Sequence, residues 1–167
     1  MAFIDRWSDL RETGSDADYT TPGLDLKIFV AYVMTGWLMG RVDAYPLLNL
    51  RGPSDVGKTR IAHLGHLISY RSVRGSGASS YASLCRIADV WRGNLYVNEG
   101  DLERSAETSE TIKFLNARYS IDEGGVWKCE ATKPGRWKTE TFNVFGPTII
   151  TCRRGYDDDA LESRCYR

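Results

Sequence analysis

The sequence predicts an α/β fold around a mostly parallel sheet, and three observations carry that expectation. Short apolar runs alternate with stretches of helical periodicity from about residue 25 onward. The run Leu47-Leu48-Asn49-Leu50 leads within two residues to Gly52 and then into a helix-periodic segment, as a buried parallel strand feeding a glycine loop does. Finally, 167 residues at 42% hydrophobic content suffice for one domain with a real core and fall short of two ordinary ones.

Taken in order, residues 1–24 read as a short N-terminal helix followed by a linker. The linker, residues 12–23, is polar and rich in turn formers. The charged start lacks the apolar core of a signal peptide, so a cytoplasmic location is expected. The predicted globular core begins at residue 25 and runs to 167. Asp25 is placed to cap a covered helix from about Leu26 to Gly40. Its apolar stretch, Ile28 to Met39, is shorter than the roughly 20 residues a bilayer requires, so no membrane partner is expected.

After the strand at Leu47 come a helix from Lys58 to about Tyr70, a second from Ser80 to Trp91, a strand at Asn94 to Val97, and a helix from Ser105 to Tyr119. Val126 to Ala131 and Arg136 to Phe142 then form a hairpin around Thr132-Lys133-Pro134-Gly135. Pro147 to Thr151 is a further core strand, and Asp157 to Ser163 a short last helix. The 22 basic residues balance the 22 acidic ones, so any contact with nucleic acid has to be local. Cys85, Cys129, Cys152 and Cys165 lie too far apart for a zinc or dithiol motif and are expected to be reduced thiols. His63 and His66 share a helix face with no third ligand near them, so no protein-only metal site is assigned.

Gly52-Pro53-Ser54-Asp55-Val56-Gly57-Lys58-Thr59 matches the phosphate-loop pattern G-x-x-x-x-G-K-[ST] at every fixed position. The spacing has a physical reason. The glycines let successive backbone N–H groups turn inward toward a β-phosphate, Lys58 reaches the β- and γ-phosphates, and the Thr59 hydroxyl ligates Mg²⁺. ATP and Mg²⁺ are therefore the expected ligands. A neighbouring strand should end in a carboxylate that holds the metal shell, with another to polarise the attacking water. The stretch Asn94-Leu95-Tyr96-Val97-Asn98-Glu99-Gly100-Asp101 stands where that strand ends. Glu99 is the candidate for activating water; Asn98 occupies the metal-side position without a charge, and Asp101 is the candidate to compensate. The alternative is a solvated turn.

With these motifs in order, the chain from about residue 25 to 167 resembles the AAA+ ATPases, with its closest look to the ATPase domains of phage and mobile-element primase-helicase proteins. The blocks Leu115-Asn116-Ala117-Arg118-Tyr119, Phe142-Asn143-Val144-Phe145-Gly146-Pro147 and Ala160-Leu161-Glu162-Ser163-Arg164-Cys165 carry it alongside the loop. The resemblance implies a three-layer α/β/α P-loop fold with a hairpin inserted before the sensor strand; the C-terminal helical lid usual in that family is not found within this chain, a departure from its pattern that fits either a fragment or a lidless protein. It also implies that Thr151 sits at the sensor position, with Arg153 as the alternative and an ordinary strand-end hydroxyl as the plainer reading. Arg164 would be an arginine finger reaching a neighbour's ATP in a homo-oligomeric ring; otherwise it is a surface arginine paired with Asp157, Asp158 or Glu162.

In replicative relatives such a hairpin touches nucleic acid, which makes Lys128, Lys133, Arg136 and Lys138 candidates for single-stranded DNA, with Trp127 and Trp137 stacking on bases or pairing across the strands. The function implied is an ATP-hydrolysing motor, helicase-like, in DNA replication. Two alternatives stand beside it: a nucleotide-binding regulatory or scaffold module with little hydrolysis, and a small P-loop kinase, which would need an arginine-bearing lid.

Overall fold

The computed structural model describes residues 26–76, 79–98, 106–133 and 136–166. The predicted N-terminal helix and linker, and the Asp25 cap, lie outside them. In chain order the described elements are α1 (Leu26–Thr35), β1 (Leu47–Arg51), α2 (Lys58–Ile68), β2 (Val73–Ser76), α3 (Tyr81–Trp91), β3 (Leu95–Asn98), α4 (Ala106–Tyr119), β4 (Gly125–Lys133), β5 (Arg136–Asn143), β6 (Thr148–Cys152), α5 (Asp159–Ser163) and β7 (Cys165–Tyr166). Five strands form one parallel sheet in the order β2-β3-β6-β1-β7, and β4 and β5 form a separate antiparallel pair. The expected α/β fold is therefore present, with helices on both faces of the sheet.

Period-two alternation sorts the strand residues between two cores. Leu48 and Leu50 of β1, Tyr96 of β3 and Ile149 of β6 pack with Phe29, Tyr32 and Val33 of α1 and Ala62 of α2. Leu47, Leu95, Val97 and Ile150 face the other way, onto Leu84, Cys85 and Ala88 of α3, Phe114 and Leu115 of α4, and Leu161 of α5. The α2 layer lies close to the sheet because Gly65 has no side chain: a Cβ there would sit 2.9 Å from both Ile149 Cδ1 and the Phe29 ring. Cys85 and Cys152 are buried and unbridged.

Two short strands escape the sequence reading. Val73-Arg74-Gly75-Ser76 is polar and interrupted by glycine, so it shows no strand periodicity, yet it hydrogen-bonds along β3 from Val73↔Leu95 to Ser76↔Asn98. Cys165 and Tyr166 form β7 only because β1 offers a free edge at Leu47 and Leu48. The first helix also differs from expectation. It stops at Thr35, where the Thr35 hydroxyl bonds back to Tyr32 O at 2.7 Å and the Tyr45 hydroxyl donates to Thr35 O at 2.9 Å. The chain then tightens into a 3₁₀ turn over Gly36–Leu38. Nor is this region covered all round: Met34 and Trp37 remain 64% and 61% exposed.

β6 lies between β1 and β3, so the strand bearing Asn98 is not the immediate neighbour of β1, as its place in the chain suggested. Its first residue is clamped from both faces. From α1, the Tyr32 hydroxyl donates to Thr148 O at 2.9 Å and accepts from Thr148 N at 2.8 Å. From α4, the fully buried Arg118 donates to Thr148 Oγ1 at 2.6 Å, Val144 O at 2.7 Å, Pro147 O at 2.8 Å and Gly93 O at 3.1 Å. Burial pulls the Arg118 guanidinium down to about 10, so at neutral pH it stays charged and carries the desolvation cost. Carbonyl dipoles, not a carboxylate, compensate it.

Replacing Arg118 by methionine keeps much of the volume and strands those acceptors. Arg118→Met is expected to lower stability by at least about 3 kcal/mol, each orphaned buried acceptor costing roughly 1–3 kcal/mol. Urea unfolding of the two proteins checks this; equal midpoints would mean that water or rearrangement satisfies the β6 clamp equally well.

Candidate functional site

The residues at the C-terminal end of the parallel sheet follow from the strand alternation. Asn98 is two residues beyond Tyr96, and Thr151 two beyond Ile149, so both turn to the α2 face. β1 ends at Arg51, and the 52–59 loop carries the chain from its tip into α2. Gly52 N donates to Cys152 O at 3.3 Å, which extends the β1–β6 ladder by one bond and ties the start of the loop to β6. At the other end Gly57 takes φ +85 and its carbonyl accepts from Arg60 N and Ile61 N at 3.0 and 3.1 Å, opening the helix. Asp55 also lies in the left-handed region, at φ 66. The Lys58 ammonium folds back over the loop, donating to Gly52 O at 2.7 Å and to Pro53 O.

Asn98 Oδ1 is the meeting point of the site. It accepts from Thr151 Oγ1 at 3.0 Å, from Tyr96 OH at 3.1 Å and from Thr59 Oγ1 at 3.3 Å. An amide oxygen offers two lone pairs, so three hydroxyls oversubscribe it. Thr59 makes the longest of these bonds and its side chain is exposed, so it is the hydroxyl most readily turned to another partner. Thr59 Oγ1 and Asn98 Oδ1 are hard oxygen donors side by side, which suits Mg²⁺, a cation that keeps several waters and takes phosphate oxygens as further ligands.

Two hollows flank the loop and share Asp55, Lys58 and Thr59. One, of about 200 Å³, is lined also by Ser54, Thr151, Cys152 and Arg153. The other, of about 550 Å³, reaches from Gly57 past Arg60 and His63 to Arg74 of β2. The sequence-predicted residues Lys58, Thr59, Asn98 and Thr151 are thus gathered at the carboxyl end of the sheet, with Arg153 beside them. Glu99 and Asp101 lie outside the described residues. From sequence, Tyr96 and Arg74 are not expected at the site, and His63 is weighed only as a metal ligand with His66. The spacing Thr59 to His63, four residues on a helix, was a legible signal for one of them, whereas Arg74 required β2 to be recognised.

Arg164 stands elsewhere. Leu47 N donates to Arg164 O at 2.9 Å, level with the first residue of β1, so roughly 15 Å of strand separates it from the 52–59 loop of its own chain. Its guanidinium donates to Asn116 O at 2.9 Å, pairs with Glu123 at 3.0 Å and lies 5.2 Å from the Tyr119 ring centroid. Asp157, Asp158 and Glu162 are not its partners; Glu162 is paired with Arg51 at 2.9 Å.

The hairpin backbone is as expected, with Trp127 opposite Thr141 and Trp137 opposite Ala131, so the two tryptophans are not a cross-strand pair. Trp127 is 75% exposed. Lys138 pairs with Glu140 at 2.9 Å, which holds that carboxyl below its usual range. The Lys128, Lys133 and Arg136 side chains and the 134–135 tip lie outside the description.

Burial, with the nearby His63 and Arg74, lowers the His66 pKa below its ordinary 6.5, and His66 Nδ1 shares a 2.7 Å bond with Ser72 Oγ. The fold therefore favours neutral His66. Its contribution to stability is present above the unfolded value and is lost as pH falls through the folded one. Unfolding midpoints taken from about pH 7.5 down to about pH 5.5 should fall less steeply in His66→Gln than in the parent; parallel profiles would show that other groups set the acid limb. Set against known proteins, the chain matches no protein-family model and no curated protein.

Proposed function

We propose that the chain is a P-loop nucleotide-binding protein that hydrolyses ATP, of AAA+-like type. The single observation that carries the reading is the convergence on Asn98 Oδ1 of Thr59 from the start of α2 and Thr151 from β6, beside a lysine laid over the 52–59 loop. Residues from three separate stretches of the chain, each singled out for phosphate chemistry, meet at the carboxyl end of the sheet.

On this reading Lys58 exchanges its bonds to Gly52 O and Pro53 O for β- and γ-phosphate oxygens, while the backbone of Gly52 to Thr59 wraps the β-phosphate. Thr59 would turn from Asn98 to hold Mg²⁺, with Asn98 as a neutral amide beside the ion. A cation held there would supply charge neutralisation for the phosphates. With Thr59 withdrawn, Asn98 Oδ1 is left with two hydroxyl donors for two lone pairs, and Thr151 is held where it can orient a water. Glu99, next after Asn98, polarises that water. Arg164 faces away from its own loop and acts on a neighbouring subunit's nucleotide, which requires a heterologous, ring-forming contact. The hairpin, anchored where Asn143 N donates to Asp89 Oδ1 at 3.0 Å, carries exposed Trp127 for contact with single-stranded DNA.

A second reading, a nucleotide-binding module with little turnover, is favoured by Asn98 itself, since an amide lacks the charge that would hold the metal shell firmly. Phosphate release with and without single-stranded DNA separates the two: stimulated release supports the motor, and ATP binding without release supports the module.

Lys58→Ala is expected to weaken ATP binding by about tenfold or more without unfolding the protein. Glu99→Gln should bind ATP and lose turnover, and Asn98→Asp should equal or exceed the parent. Unaltered nucleotide affinity in Lys58→Ala would remove the phosphate-loop assignment.

Arg164→Ala should bind ATP normally and lose roughly a thousandfold in rate, with partial recovery when mixed with Lys58→Ala. Because Arg164 also bonds Asn116 and Glu123, its thermal stability is measured in parallel. Full activity of Arg164→Ala, independent of protein concentration, would show a site complete within one chain.

A further inference from the structure

The hollow of about 550 Å³ beside the 52–59 loop carries more positive charge than nucleotide binding by Lys58 uses. Among the described residues Lys58, Arg60 and Arg74 line it against one carboxylate, Asp55, with His63 also on its wall. The chain as a whole has a net charge of zero, so this is a local concentration. The placement has structural causes. Thr59, His63 and His66 stand at i, i+4 and i+7 on α2, and the His66 ring lies 6.1 Å from that of Tyr96. Arg74 comes from β2 in register with Tyr96, and its guanidinium carbon is 5.6 Å from the Tyr96 ring centroid. That contact orients the guanidinium without consuming its donors. Among the described residues the Arg74 guanidinium has no ion pair and no hydrogen bond.

We propose that Arg74 and His63, with Arg60 on the same wall, form a second oxyanion site that takes one phosphate group while a nucleoside diphosphate occupies the 52–59 loop. The second half of that statement rests on the nucleotide reading; the anion site itself does not. A planar guanidinium presents paired N–H donors at the spacing of two phosphate oxygens, and an imidazole adds a donor from the facing helix. The volume lies within the range of small-ligand sites, large enough for phosphate beyond what Lys58 and Thr59 hold. Two sources share this chemistry: free orthophosphate, as ATP hydrolysis releases it, and a backbone phosphate of a polynucleotide.

The test titrates inorganic phosphate into the full chain by calorimetry, with saturating Mg-ADP and again without nucleotide. The parent is expected to bind one phosphate in the presence of ADP. Arg74→Gln and His63→Gln should each weaken phosphate by about tenfold or more while leaving ADP affinity within about twofold. Both positions are exposed, and far-ultraviolet circular dichroism confirms that the variants are folded. ADP binding with no phosphate binding, or phosphate affinity unchanged in both variants, overturns the second site. If ADP itself fails to bind, the nucleotide reading falls; phosphate binding to the protein alone, lost in Arg74→Gln, then upholds the anion site, and its absence overturns it. An oligodeoxynucleotide with hydroxyl ends assigns the source: displacement of phosphate by it points to a nucleic-acid backbone, and retention points to orthophosphate.

Discussion

Thr148 is gripped from both faces of the sheet, by Tyr32 of α1 on one side and Arg118 of α4 on the other, and the arrangement of everything at the opposite edge depends on that grip. β6 is the central strand. Its register with β1 (Leu48↔Ile149) and with β3 (Leu95↔Thr148) determines which residues arrive together at the carboxyl ends. A one-residue slip in a strand exchanges its two faces, so such a slip would send Thr151 to the α3 and α4 side and bring Cys152 beside Asn98. Fixing the first residue of the strand fixes the last. The cost is a buried, charged guanidinium, which the fold offsets with four acceptors drawn from the segments leading into β3 and β6.

Through β6, the packing of the core is tied to the chemistry of the site. Arg118 also draws Gly93, Val144 and Pro147 together, so the ends of the α3–β3 and β5–β6 connections are pinned by the same side chain. The hairpin leaves and re-enters the domain close to this point, with Phe142 and Val144 in the core and Asn143 bound to Asp89 of α3. The two-stranded hairpin is thus rooted on the core and on α3.

Charge is distributed by the same logic. Arg51 and Glu162 join the end of β1 to α5 in a bond made by both carboxylate oxygens at 2.9 Å, and Tyr156 N adds a third contact to that carboxylate at 3.1 Å. Through α5 and β7, the stretch that holds Arg164 is therefore fastened to the strand that feeds the 52–59 loop. On the proposed reading, the loop of one subunit and the arginine offered to its neighbour belong to one mechanical unit. Lys58 and Arg74, which stand outside those pairs, line the larger hollow, so a chain of zero net charge places a local basic cleft beside the 52–59 loop.

Much of this was determined by sequence alone. The α/β class follows from the alternation of apolar runs and helical periods, and the helices at Lys58, Tyr81 and Ala106, the hairpin, and the strands at Leu47, Leu95 and Thr148 are local in origin. So is the form of the 52–59 loop, because Gly57 supplies a backbone conformation that other residues rarely adopt. Tertiary structure decided the rest. The order of strands is not written in local periodicity, so β6 could not be placed between β1 and β3 from the chain order. β2 and β7 exist because β3 and β1 present edges to pair with, not because Val73-Arg74-Gly75-Ser76 or Cys165-Tyr166 prefers to be extended. Arg118 reads as one more basic residue in a helix until the fold surrounds it with carbonyls, and Arg74 reads as part of a loop until β2 carries it to the cleft. Sequence specifies which residues can perform the chemistry; long-range pairing, which no short window contains, decides which of them meet.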